Sequence, residues 1–278
     1  MIKKSFLQTG KLRTAHLSGG SGDPILFIHS IPGTSFLWMD HLEAFASTFF
    51  CFAPDIYGCG DTTGPSDSEY DLETLSDSIY RYSTTLGISS THVVAHGNGA
   101  AAALILALQK PGFLKSLILI NPMFGSNIPG KLNRTLMILA KRQSLWDAGF
   151  HTGLIPGMIR LHTKAPHQRE KSRVYTGEIL RPFENSTAAR ARFQKVLKDF
   201  NPKLTKTLCP HLHRIQVPVG LVTGSEDHVC TPDWLLDFSK LFNSPKWEVI
   251  NGGSHFLPLE APAQLTDFIN SVINQTAS

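Results

Sequence analysis

Short apolar runs punctuate this chain, each ending in turn residues: 24–29 (PILFIH), 49–53 (FFCFA), 92–95 (HVVA), 114–120 (LKSLILI), 217–222 (VPVGLV) and 247–250 (WEVI). Runs this short and this apolar predict strands buried on both faces. Between them the apolar positions recur at helical spacing over 72–86, 100–108, 232–241 and 263–273, which predicts amphipathic or buried helices. Strand and helix in alternation predict an α/β protein with a mainly parallel sheet flanked by helices, and functional residues gathered at the carboxyl ends of the strands. The alternation lapses from about 125 to 214, where helical and irregular segments carry Pro156, Pro166, Pro182 and Pro202. That block starts after one strand and ends before the next, so it reads as a helical cap (125–214) inserted into a core made of 1–124 and 215–278.

The run 93–101 (VVAHGNGAA) has the pattern of a buried strand turning sharply into a helix. A turn this tight holds its middle residue in a strained backbone conformation, costing about 1–3 kcal/mol for any residue with a side chain. Glycine relieves that strain. The middle residue here is Gly97.

Together with two other segments, this turn gives the chain a specific resemblance. Residues 29–38 (HSIPGTSFLW) look like the H-G-x-P segment after the third strand of the α/β-hydrolase superfamily, and 53–61 (APDIYGCGD) like its P-D-x-x-G-x-G loop. The pattern is closest to cap-bearing haloalkane dehalogenases, epoxide hydrolases and C-C hydrolases. The resemblance implies an α/β-hydrolase fold with an inserted helical cap, and it makes Gly97 the vacant nucleophile position, where the family carries Ser, Cys or Asp. It also makes Asp227, in 224–228 (GSEDH), the acid and His255, in 252–260 (GGSHFLPLE), the base. A carboxylate in that role holds the imidazole tautomer and stabilises its protonated form. The oxyanion hole is implied at the backbone amides of Ile31 and Asn98, with Ser30 departing from the family glycine. Dehalogenases commonly place a halide-binding Asn at the position of Ile31 and a Trp at that of Asn98, so dehalogenation is disfavoured. His29, Ser30, Trp38, His96, Trp146 and Phe183 are the candidate pocket residues.

Composition narrows the remaining possibilities. With 278 residues, 42% hydrophobic and 17% charged, the chain can build one large core without a partner. It shows no signal-peptide pattern and no membrane-length apolar run, so a cytoplasmic protein with no membrane partner is expected. Cys51, Cys59, Cys209 and Cys230 lack paired spacing and read as reduced thiols. Cys59 competes as a displaced nucleophile only if a base or positive field lies beside it. His151, His162, His167, His211 and His213 show no metal-ligand spacing, and no cofactor is expected. Charge is uneven: residues 131–207 hold 16 Lys or Arg against 5 Asp or Glu, and the remainder 10 against 17. A basic block in an acidic frame is either a set of solvated helices or an attractor for an anionic or carrier-protein-bound small-molecule substrate. Nucleic acid is not expected, because no binding motif accompanies the charge.

A missing nucleophile leaves four readings. The first is non-covalent acid/base chemistry of lyase, isomerase or cyclase type by a His255–Asp227 dyad on a small carbonyl compound. The second is an inactive nucleophile-to-Gly variant of an ordinary Ser or Asp hydrolase. Water activated by His255 in a vacated niche is the third, and a ligand-binding protein that performs no chemistry is the fourth.

Overall fold

A computed structural model describes residues 1–65, 69–165 and 168–276; His167 therefore lies outside the described residues. Among these, eight strands form a single sheet: β1 (Lys3–Thr9), β2 (Leu12–Gly19), β3 (Asp23–Ile28), β4 (Phe49–Pro54), β5 (Thr91–His96), β6 (Leu114–Ile120), β7 (Val219–Gly224) and β8 (Lys246–Ile250). Their order is β1-β2-β4-β3-β5-β6-β7-β8. β1 and β2 pair antiparallel, as do β2 and β4, and every other pair is parallel. The six apolar runs supply β3 to β8. The antiparallel edge is an addition that the pattern does not announce, because β1 is largely exposed and β2 buries the polar or small Thr14, Ala15 and His16 beside Leu17.

Helices cover both faces: α1 (Met39–Phe45), α2 (Leu72–Thr85) and α3 (Gly99–Gln109) come before β6, and α10 (Pro232–Ser239), α11 (Leu257–Glu260) and α12 (Pro262–Ile273) follow β7. α3 begins with Gly99 and four alanines, all buried. A Cβ on Gly99 would meet the His29 carbonyl at 2.3 Å, so only glycine lets this helix start against the β3 loop.

Between β6 and β7 lie α4 (Lys131–Ala140), α5 (Gln143–His151), α6 (Leu154–His162), α7 (Arg169–Glu184), α8 (Thr187–Asp199) and α9 (Lys203–Leu208). Trp146, Phe150, Phe183 and Phe193 pack together there, with ring centroids 5.1–5.7 Å apart, and the Trp146 indole N–H donates to the Arg190 carbonyl at 3.1 Å. This corrects the expectation for Trp146 and Phe183. Both are buried in the inserted block's own interior, because helices of this length must bury their large aromatic faces against one another, and the cavity that Trp146 does line is made with Gln143, His151 and Arg190 of the same block, without His255. No helix among the described residues is long and apolar enough to cross a membrane.

Candidate active site

The turn after β5 places Gly97 at φ +57°, in the left-handed region. Its amide donates to the Ile120 carbonyl at 3.0 Å, and its carbonyl accepts from the Met123 amide at 2.9 Å. The turn is thereby tied to the end of β6. Asp227 follows β7 and His255 follows β8, and the His255 Nδ1–H donates to Asp227 Oδ2 at 2.9 Å. Asn121, just past β6, donates from Nδ2 to the same carboxylate oxygen at 2.8 Å, and the Val229 amide donates to Asp227 Oδ1 at 2.7 Å. Burial works to raise the Asp227 carboxyl, but the adjacent His255 and these hydrogen bonds outweigh it and hold the group well below the usual carboxylate range. Asp227 is thus an anion at neutral pH, and it orients the His255 ring.

His255 faces the turn. A Cβ built on Gly97 would stand 3.7 Å from His255 Nε2, 2.6 Å from Ser30 Oγ and 3.0 Å from Ser30 Cβ. His255 Nε2 therefore addresses position 97, while the room beside that position is not open. The expectation of a vacated niche is corrected: Ser30 fills it. A glycine at 30 with a serine at 97 and a serine at 30 with a glycine at 97 place a side chain in the same small space, and this chain has the second arrangement.

Of the two amides expected to bind an oxyanion, that of Ile31 is also engaged differently. Ile31 N–H donates to Asn98 Oδ1 at 2.6 Å, Ser30 Oγ donates to the same oxygen at 2.9 Å, and Asn98 Nδ2 returns a bond to the Ile31 carbonyl at 2.9 Å. The Asn98 side chain thus lies across the Ile31 donor, which is not free. Two donors nevertheless converge on one oxygen, which is the arrangement a substrate carbonyl oxygen requires.

The other pocket candidates have structural tasks. His29 accepts from the Ile56 amide at Nε2 (2.8 Å) and donates from Nδ1 to the Ser30 carbonyl (2.7 Å), stitching the β3 and β4 loops together. His96 lies beneath His255, donating from Nε2 to the His255 carbonyl at 2.8 Å; burial, then the neighbouring His255, pushes it down to about 3, so it is neutral. Trp38 is fully buried between Phe27 and His41, with its edge toward His96. Cys59 is buried, and that burial pushes its thiol up to about 12, the opposite of what a thiolate nucleophile needs.

Three contributors lack a local signature. Asn121 holds Asp227, with only its position after a strand and a positive φ of 45° to mark it. His162, at the end of α6, sets its ring 5.6 Å from that of His255 at a tilt of 49°, and burial pushes it down to about 3. Tyr175 of α7 is fully buried against Phe256. α6 and α7 therefore roof His255, of which only 9% remains exposed.

A family model for the alpha/beta hydrolase fold matches residues 23–262. The chain belongs to this family. Among curated relatives of this α/β hydrolase, a cis-3-alkyl-4-alkyloxetan-2-one decarboxylase of Shewanella oneidensis is 28% identical over 123 residues, covering 43% of this chain and 39% of that protein. An epoxide hydrolase of Caballeronia sordidicola is 34% identical over 131 residues, covering 46% and 38%. Each alignment thus spans well under two thirds of the relative. Among solved structures, a haloalkane dehalogenase from Bradyrhizobium elkani superposes with a TM-score of 0.79 over 100% of both chains at 20% identity, a likeness of fold.

Proposed function

We propose that this α/β hydrolase is an enzyme in which the His255–Asp227 dyad performs acid/base chemistry on a small carbonyl-containing molecule, without a covalent nucleophile at position 97. The observation that carries the reading is the aim of His255 Nε2 at a residue that has no side chain, 3.7 Å from where its Cβ would be. His255 would take a proton from a carbon or hydroxyl of the substrate at Nε2, Asp227 would stabilise the imidazolium, and the proton would return to the product. The substrate oxygen would displace Asn98 Oδ1 and accept from Ile31 N–H and Ser30 Oγ. Proton abstraction, decarboxylation or retro-aldol cleavage all fit this set. The Shewanella relative's name describes decarboxylation, so the fold is compatible with reactions other than hydrolysis.

The test is exchange. A panel of small ketones and 3-oxo acids in deuterium oxide should show deuterium incorporation next to the carbonyl, or loss of carboxylate, by proton NMR, and His255→Ala should abolish it. Absence of any His255-dependent exchange across the panel would overturn the reading.

One observation favours a second reading. Ser30 Oγ occupies the niche beside His255, so a hydrolase with its hydroxyl moved from 97 to 30 is the alternative. A fluorophosphonate adduct mapped to Ser30 by peptide mass analysis, and lost in His255→Ala, would establish it in place of the first.

A further inference from the structure

The outer side of α6 and the adjoining face of α7 carry two features that the chemistry at His255 does not use. On α6, Leu154, Gly157 and Leu161 form an exposed stripe at helical spacing, with Leu154 52% and Leu161 65% exposed, while Ile155 and Ile159 on the opposite side are fully buried. Beside it lies a groove of about 810 Å³ lined by Arg160, Lys164, Arg169 and Arg173, with Glu184 as the acidic residue at its wall. None of these four cations forms an ion pair with a described residue, whereas Lys171, Arg181 and Lys195 of the same block are paired with Asp40, Asp61 and Asp199. Val174, on α7 next to Arg173, is 45% exposed.

We infer that this face is a docking surface for an anionic phospholipid bilayer. Cations without an ion-pair partner among the described residues, converging on one groove, fit phosphate oxygens, because charge-assisted bonds from guanidinium and ammonium groups are strongest with such acceptors. A soluble phosphate compound would satisfy the groove but leave Leu154, Leu161 and Val174 in water. A lipid interface covers both, with headgroup phosphates against the cations and the apolar stripe at the acyl boundary. Charge complementarity thus selects the sign of the surface, and the leucines select a lipid over a free anion. The helix that docks also carries His162 above His255, so the docking face is the outer wall of the candidate active site. The inference is independent of the reaction proposed above.

The test is co-sedimentation of the full chain with vesicles of phosphatidylcholine alone or mixed with phosphatidylglycerol at about 7:3, at low and high salt. Binding to the anionic vesicles only, weakened by salt, is expected. Arg169→Gln/Arg173→Gln should lower partitioning about 25-fold, at about fivefold per cation, and Leu154→Gln/Leu161→Gln should lower it even at low salt. These positions are exposed or groove-lining, and a thermal melt equal to that of the unsubstituted chain confirms folding. Equal binding to both vesicle types, binding to neither, or no effect of either variant pair overturns the inference. Calorimetric binding of inorganic pyrophosphate that Arg169→Gln/Arg173→Gln removes, without vesicle binding, also overturns it and assigns the groove to a soluble phosphate-bearing ligand.

Discussion

Exchanging the residues at 30 and 97 tests how the site is built. Gly97→Ser alone places a side chain at φ +57°, which costs about 1–3 kcal/mol in backbone strain. It also drives the new Cβ to 2.6 Å from Ser30 Oγ and 3.0 Å from Ser30 Cβ. The hydroxyl can rotate away but the Cβ cannot, so overpacking adds about 1–3 kcal/mol. Ser30→Gly alone removes the bond to Asn98 Oδ1, a loss of about 0.5–1.5 kcal/mol. In Ser30→Gly/Gly97→Ser the clash disappears and only the strain and the lost bond remain. The double variant should therefore be more stable than the sum of the singles by about 1–3 kcal/mol, within the range found for residues in contact. It should also be reactive: with Nε2 3.7 Å from the Cβ, a hydroxyl one bond closer falls within the roughly 2.6–3.2 Å that an activated nucleophile needs. Urea unfolding measures the coupling, and intact mass after fluorophosphonate treatment, with peptide mapping, measures the nucleophile. Coupling within about 0.5 kcal/mol of zero would refute the claim that Ser30 fills the niche. A folded double variant that forms no adduct at residue 97 would refute the claim that His255 is aimed there.

Three further outcomes follow from the same geometry. On whichever substrate of the exchange panel responds, His255→Ala should lower the rate by on the order of 10²–10⁴-fold with an unchanged melt, and Asp227→Asn should lower it substantially; an unaffected His255→Ala rate would mean that another group moves the proton. Asn121→Ala removes a donor to ionised Asp227 and should slow the reaction about tenfold while displacing the pH profile of kcat/KM; a loss of stability without displacement would make Asn121 merely structural. His96, lowered to about 3 when folded against about 6.5 unfolded, contributes stability that is complete above about pH 6.5 and is lost as pH falls toward 3. Between those limits it should add about 1.4 kcal/mol per pH unit to the slope of unfolding free energy, and urea titrations from neutral to acidic pH should show that increment missing in His96→Phe.

Some of this molecule is legible locally and some is not. Strands β3 to β8 are apolar runs because both faces of a parallel sheet are buried, and the turn at Gly97 is a strand, a glycine and an alanine-rich helix in succession. Asp227 and His255 are marked by the resemblance of their loops to those of the family, each loop glycine-bearing and directly after a strand; the local pattern alone does not single out Asp227 from Glu226 and His228 beside it. What a run of neighbours does not encode is which distant side chains share a space. Ser30 and Asn98 meet across 68 positions and Asn121 and Asp227 across 106; the first pair fills a niche that the turn alone leaves open, and the second holds the acid in place. Trp146 and Phe183 carry the same local pattern whether they wall a pocket or pack inside the inserted helices, and only the folding of α5, α7 and α8 onto one another decided it. His162 reads as a polar residue on an apolar helix until α6 lies over the sheet edge and brings it against His255. The sequence by itself determined the frame and the turn at Gly97, because strand burial and turn strain are short-range, and it marked the loops of Asp227 and His255 only through their resemblance to a family. The contents of the niche, the occupied Ile31 amide and the roof over the base were decided by the tertiary structure, because packing and hydrogen-bond pairing depend on residues that only the fold makes neighbours.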